Sequence, residues 1–105
     1  MPLISVVIPA LNAAQTLGET LQSLANQSLR DFEVVLVDDG STDDTAALAA
    51  RFEGLLNLRR IAHADPQGVA RSLNDGLAAG DSEFVARLDA DDLAHPERLR
   101  LQLEF

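Results

Sequence analysis

Two groups of carboxylates could bind an ion or a ligand, and each follows a short apolar run. Asp38 and Asp39 come after FEVVLV, and Asp89, Asp91 and Asp92 come after EFVARL. Crowded carboxylates repel one another unless a cation is present, and oxygen ligands alone suit Mg²⁺ or Mn²⁺. In an extended segment, Asp89 and Asp91 point to the same side and could reach one ion, or one ion and an adjacent ribose. The second group therefore predicts a metal site, the alternative being a solvated acidic turn that caps the next helix.

The first pair lies in the turn Asp38-Asp39-Gly40-Ser41. One carboxylate could accept hydrogen bonds from a base N–H or a ribose hydroxyl. Equally, the pair could only cap the turn and the helix after it. Paired acids after a strand also occur in phosphoacceptor and ATPase sites, so this pair alone leaves the chemistry open.

Three further polar residues could contact a ligand. Arg71 follows Gly68 near a helix start, where backbone N–H groups and a guanidinium could meet a phosphate; the alternative is a solvent-facing residue. His95 is favoured as a turn or cap residue over a fourth metal ligand. His63 is favoured as a structural or exposed residue.

Composition excludes several classes of protein. A net charge of −9 argues against binding to nucleic acid or anionic lipid, and an anionic diphosphate would need a cation as a bridge. Cysteine is absent, which excludes disulfides and thiolate metal sites. The sequence also lacks lysine, GxGxxG and the P-loop motif, and the missing lysine disfavours a receiver-type or haloacid-dehalogenase-like phosphotransferase with Asp38 as nucleophile.

The elements that must position these residues alternate between strands and helices. Short apolar runs predict strands at 3–8, 32–37, 58–62 and 83–88. Amphipathic segments between them predict helices. The first is capped by Asn12, the second by Ser41 or Thr42, the third runs from Gly68 to Gly80 with Val69, Leu73 and Leu77 on one face, and the last begins at Pro96 with Leu99 and Leu103 on one face.

This order predicts one α/β domain over residues 1–105, a Rossmann-like, mostly parallel sheet with helices on both faces. Both carboxylate groups then fall at the carboxyl ends of strands, where open sheets bind ligands. No apolar run reaches the roughly 20 residues that cross a bilayer, and signal-peptide features are missing, so a cytoplasmic protein is expected. The last predicted element is a helix with no strand after it, which favours a part of a longer protein.

The sequence resembles the family 2 glycosyltransferases in three segments. These are SVVIPALN at 5–12, EVVLVDDGSTD at 33–43 and ARLDADD at 86–92, with Pro96 following. Their order and spacing are specific, and the resemblance covers nearly the whole chain. It implies a GT-A fold, in which a nucleotide-binding half precedes an acceptor-binding half. Leu11 stands where the family usually has Tyr or Phe, and Leu73 stands where an Arg commonly precedes the Asn.

The resemblance also implies roles for particular residues. Asp39, and with it Asp38, would contact the nucleotide base. Asp89 would lie nearer the ribose, and Asp91 would be the main ligand of Mn²⁺ or Mg²⁺. The donor-binding set is then Pro9, Asn12, Asp38, Asp39, Gly68, Arg71 and Asp89, and the metal ligands are Asp91 and Asp89.

The activity that the resemblance implies is transfer of a sugar from a nucleoside diphosphate sugar, with a UDP-sugar as first guess. On the same resemblance, the acceptor would be a saccharide or lipid-linked hydroxyl in bacterial surface polysaccharide synthesis, and the enzyme would be of the inverting type. The general base is expected downstream, so these residues would bind donor without transferring sugar. Two further expectations are a location in the cytoplasm or at the inner face of the membrane, and a homodimer through apolar surface left by the absent half. The alternative is a noncatalytic nucleotide-binding or regulatory module.

Overall fold

The strands follow the β-branched apolar runs of the sequence. The computed structural model describes the backbone of residues 2–103 and the side chains of residues 2–101. Each strand begins and ends within two residues of its predicted bounds. The strands are β1 (Ile4–Ala10), β2 (Phe32–Asp38), β3 (Leu58–Ala62) and β4 (Phe84–Arg87).

The four strands form one parallel sheet in the order β3-β2-β1-β4. Asp38 pairs with Ala10 on one side and with Ala62 on the other, so the carboxyl ends of β1, β2 and β3 share one edge. The strand order reverses at β1, because β2 lies on one side of it and β4 on the other. Open parallel sheets bind ligands at such a reversal.

Helices cover both faces of this sheet, which confirms the predicted α/β architecture. They are α1 (Leu17–Ala25), α2 (Thr45–Ala50), α3 (Val69–Ala79) and α4 (Arg98–Leu103). Helices α1, α2 and α4 contribute to the larger core, and α3 packs on the other face against Val7, Val35 and Val37. Among the described helices, none has the length and hydrophobicity to cross a membrane. Leu99 is buried as predicted, and the Leu103 side chain lies outside the described residues.

The predicted caps of α1 and α2 are wrong, because their side chains join two loops instead. Asn12 Oδ1 accepts a hydrogen bond from the Thr42 N–H at 2.8 Å, and Ser41 Oγ accepts one from the Asn12 N–H at 2.9 Å. Asn12 has a left-handed φ of 50°, a conformation that asparagine tolerates better than most residues. The helices consequently begin later, at Leu17 and Thr45. The last helix also begins two residues later than predicted, at Arg98.

The predicted apolar face of α3 is right only at Leu73, which is partly buried against the valines of the sheet. Val69 and Leu77 are exposed, and the helix buries Ser72 and Gly76. At Gly76 a Cβ atom would lie under 3.0 Å from a methyl group of Val7, so only a residue without a side chain allows this approach. Helix α3 therefore packs closely on the sheet through small residues, with Leu73 partly buried beside them and Val69 and Leu77 outside.

Candidate functional site

The carboxylate of Asp39, at the end of β2, is buried and almost fully hydrogen-bonded. Its Oδ1 accepts bonds from the Gln67 N–H and from His63 Nδ1, each at 2.7 Å, and its Oδ2 accepts one from the Gly68 N–H at 2.9 Å. The Gln67 N–H, followed by His63, lowers the pKa of Asp39 below its ordinary value, although burial opposes this. A carboxylate has about four acceptor positions, so one position on Oδ2 is left for a ligand.

His63 bridges two carboxylates. Its Nδ1 lies 2.7 Å from Asp39 Oδ1, and its Nε2 lies 2.7 Å from Asp75 Oδ2. A neutral imidazole carries one N–H, so only the protonated ring donates to both oxygens. The hydrogen bond to Asp39, and next the one to Asp75, raise the pKa of His63, while desolvation lowers it. Arg71 Nε also donates to Asp75, at 3.1 Å, so alternating charges link the end of β2 to α3.

A cleft of about 170 Å³ lies beside Asp39. The β3–α3 loop forms one wall and passes close to Gly40, where a Cβ would lie 2.8 Å from Pro66 N. Gly40 also has a φ of 83°, which favours glycine. The wall is mostly apolar, as in sites that hold a flat organic ring. This Asp39 cleft is lined by Pro9, Ala10, Leu11, Asp39, Pro66, Gly68, Val69 and Ser72.

A second cleft, of about 370 Å³, lies where the strand order reverses. It shares Pro9 and Leu11 with the Asp39 cleft, so the two adjoin. The hydroxyls of Thr16 and Thr20 both donate to the carbonyl of Ala90 at 2.9 Å, which fixes the loop after β4 against α1. This acidic cleft is lined by Pro9, Leu11, Asn12, Ala13, Thr16, Asp89, Ala90 and Asp91.

Asp89, Asp91 and Asp92 come together as predicted. Each offers a carboxylate oxygen, and these oxygens all lie within 4.8 Å of one another. Arg87 binds Asp89 Oδ1 at 3.1 Å and so balances part of its charge. Two oxygens on one Mg²⁺ lie no more than about 4.2 Å apart, given metal–oxygen distances of about 2.1 Å. The oxygen-only donor set and its spacing therefore fit Mg²⁺ or Mn²⁺ after a small side-chain adjustment.

The structure brings six of the predicted site residues to the two clefts: Pro9, Asn12, Asp39, Gly68, Asp89 and Asp91. Asp38 lines neither cleft; its Oδ1 accepts the Ser41 N–H at 3.1 Å, as the capping alternative predicted. Arg71 lines neither cleft and pairs with Asp75. His95 Nδ1 accepts the Glu97 N–H at 3.1 Å, as expected of a turn residue.

His63 has a structural role, one of the two alternatives favoured for it, but its contacts with Asp39 and Asp75 were not predicted, and neither was the contribution of Ser72. A signal for His63 was available, because β2 and β3 are parallel and its N–H donates to Asp38 O at 2.9 Å as the ladder continues. That register brings the residue after β3 beside the residue after β2. For Ser72 the sequence offers no such signal, since the helical pattern pointed to Val69 and Leu77.

A parallel sheet that reverses at its first strand, with two clefts at its carboxyl edge, defines a Rossmann-like domain of the kind that binds nucleotides. The sequence model of the family described as Glycosyl transferase family 2 matches residues 5–105. The chain therefore belongs to glycosyltransferase family 2. It is 44% identical over 92 residues to a PGL/p-HBAD biosynthesis glycosyltransferase of Mycobacterium tuberculosis, covering 87% of this chain and 36% of that protein.

Solved structures show the same GT-A fold. Staphylococcus aureus TarS 1–349 in complex with UDP-GlcNAc has a TM-score of 0.93 and 33% identity, over 97% of this chain and 30% of that one. The mannosyltransferase PcManGT of Pyrobaculum calidifontis, in complex with GDP-Man and Mn²⁺, has a TM-score of 0.85 and 34% identity, over 95% of this chain and 30% of that one. The chain thus spans about a third of the length of these relatives.

Proposed function

We propose that this chain binds a nucleoside diphosphate sugar, with UDP as the nucleotide, across the two adjoining clefts. The observation that carries the proposal is that an apolar cleft beside a buried carboxylate shares Pro9 and Leu11 with a cleft that contains an acidic cluster. The base would lie in the first cleft and the diphosphate in the second. UDP-GlcNAc bound to TarS and GDP-Man bound to PcManGT support this class of donor. Because the two donors differ in their base, GDP is the nucleotide against which UDP should be compared.

On the base side, Asp39 would accept an N–H of the base at the one acceptor position that the protein leaves open. The hydrogen bonds from Gln67 and Gly68 fix the carboxylate in place before a ligand arrives. A preorganised acceptor of this kind lowers the cost of binding. Pro9, Leu11 and Val69 would contact the faces of the base.

On the diphosphate side, Asp91 would be the main ligand of Mn²⁺ or Mg²⁺, and Asp89 would lie nearer the ribose. A divalent ion held by these residues would neutralise charge on the departing diphosphate. The Mn²⁺ in the PcManGT complex supports use of a divalent ion. Arg87 donates a hydrogen bond to Asp89 at 3.1 Å, which restricts the positions that this carboxylate can take.

For the whole protein we propose inverting transfer of the sugar to a saccharide or lipid-linked acceptor hydroxyl, in bacterial surface polysaccharide synthesis. The general base is expected downstream of the motifs described here. We therefore propose that these residues bind the donor and that transfer needs the acceptor-binding half.

Calorimetric titration with UDP tests the proposal. We expect Mn²⁺ to tighten binding, and Asp91→Ala to weaken binding in Mn²⁺ by about tenfold or more, comparable to losing a hydrogen bond to a charged group. Asp31→Ala is the matched control, because it removes the same charge from an exposed residue just before β2, at the edge of the sheet away from the clefts. UDP affinity that is the same with Mn²⁺ and with EDTA, or unchanged in Asp91→Ala, would overturn the proposal.

A further inference from the structure

Ser72 carries the one buried side-chain oxygen that lacks a hydrogen-bond partner among the residues that the structure describes. The residue is fully buried, and its backbone N–H is used in the first turn of α3, where it donates to Gly68 O at 3.0 Å. Buried hydroxyls are nearly always hydrogen-bonded, because burying one without a partner is unfavourable. A hydroxyl without a partner in the folded chain therefore suggests a partner that is not part of the chain.

The position of Ser72 shows where that partner would lie. Ser72 contributes to the wall of the Asp39 cleft, whose remaining side chains are apolar apart from Asp39. A ligand in this cleft would meet two polar groups: one open acceptor position on the Asp39 carboxylate and the Ser72 hydroxyl. Because the Asp39 carboxylate can only accept, the ligand must offer it an N–H or an O–H. A base offers an N–H, and a carbonyl oxygen beside that N–H would accept from Ser72.

We propose that Ser72 is a specificity-determining residue, whose hydroxyl donates to the carbonyl oxygen next to the base N–H that faces Asp39. Uracil carries this edge as N3–H beside a carbonyl, and guanine carries it as N1–H beside O6. Cytosine has no proton on N3 and adenine has none on N1, so neither presents that edge. The proposal rests on the proposed function and deepens it, since it names the chemistry by which the cleft selects the base.

Ser72→Ala tests this proposal, because the proposal expects the variant to gain stability without nucleotide and to lose affinity for nucleotide. Removing a buried hydroxyl without a partner raises the melting temperature of the nucleotide-free protein. Removing a hydroxyl that binds the base lowers nucleotide affinity, by about fivefold to tenfold for one net hydrogen bond. Calorimetric titrations with UDP, GDP and CDP in Mn²⁺ supply the affinities, and Ser28→Ala, on an exposed serine outside both clefts, is the control.

We expect the wild-type protein to bind UDP or GDP more tightly than CDP, and Ser72→Ala to lose affinity for the tighter ligand while CDP affinity stays the same. Ser72→Cys is slightly larger and supplies a weaker donor, so its affinity should fall between those of the wild type and Ser72→Ala. It serves as the test if the alanine variant does not fold. Unchanged affinity in Ser72→Ala, or an equal loss for all three nucleotides, would overturn the role of Ser72 and leave the proposed function standing. A wild-type protein that binds none of the nucleotides would overturn both.

Discussion

Gly76→Ala is expected to separate α3 from the sheet, and it connects the packing of the domain to its clefts. Gly76 lies on the buried face of α3, against Val7 of β1 and Val37 of β2. An added Cβ would come under 3.0 Å from a Val7 methyl group and 3.2 Å from a Val37 methyl group. Carbon atoms pack at about 3.5–4.0 Å, so both contacts are too short and the first cannot be accommodated without movement.

The magnitude follows from two opposing effects. Overpacking a core lowers the free energy of unfolding by about 1–3 kcal/mol. We expect a value near the upper end, because Val7 is buried in the central part of the sheet and its β-branched side chain is stiff. Alanine in place of glycine inside a helix returns about 1 kcal/mol. The net loss in the free energy of unfolding is about 2 kcal/mol, which lowers the melting temperature of a domain of this size by about 8–16 °C.

Thermal unfolding followed by circular dichroism measures this loss, with Gly54→Ala as the matched control. A Cβ at Gly54 would meet no heavy atom within 4 Å, so the change should stay within about 0.5 kcal/mol. Because α3 also carries part of the Asp39 cleft, Gly76→Ala should weaken UDP binding at a temperature where both variants are folded. Equal melting temperatures for the two variants would refute the close packing of α3 on the sheet.

Three further predictions concern the residues around the clefts. The wild type should be more stable than His63→Gln, and this advantage should be fully present below the ordinary histidine pKa of 6.5. It should be lost as the pH rises through the raised pKa of His63 in the folded state, which urea unfolding at pH 6 and pH 9.5 would show. An advantage that does not depend on pH would contradict a protonated His63. Asn12→Ala should lower the free energy of unfolding in urea by about 1–2 kcal/mol, because it loses both the Thr42 contact and the tolerance of a positive φ. Asn12→Gly should lower it less, because glycine adopts a positive φ freely. Equal losses in the two variants would argue against backbone strain. Leu11 is exposed and lines both clefts, so Leu11→Ala should lower UDP affinity about fivefold with little change in stability. Leu55 is also exposed but lines neither cleft, so Leu55→Ala should leave UDP affinity unchanged.

The strands were predictable because burial on both faces requires nearly continuous apolar runs, and β1 and β2 have them. The parallel order followed from the alternation with helices, since parallel neighbours need crossover connections. Helix starts were not predictable in the same way. Asn12 and Ser41 have side chains that could cap a helix, but the sequence does not show that each bonds the other's loop instead.

The acidic cluster was predictable because its three carboxylates are close in sequence, so any turn after the strand brings them together. The surroundings of Asp39 were not. Its hydrogen-bond partners, His63, Gln67 and Gly68, lie 24 to 29 residues away in the chain. Their approach depends on the pairing of β2 with β3 and on the path of the β3–α3 loop, which local patterns do not encode.

The distribution of charge indicates where on this acidic chain a metal would bind. Near the carboxyl edge of the sheet, Asp38, Asp39 and Asp43 are each compensated by backbone N–H groups, a cationic side chain or a hydroxyl. In the described part of the chain, the carboxylates of Asp91 and Asp92 have no such contact, so uncompensated charge collects in and beside the acidic cleft. A cation that binds there displaces no arginine from Asp91. A diphosphate would be repelled from the same place without one. The expected metal dependence thus follows from unpaired carboxylates that lie close together, and not from the net charge of −9.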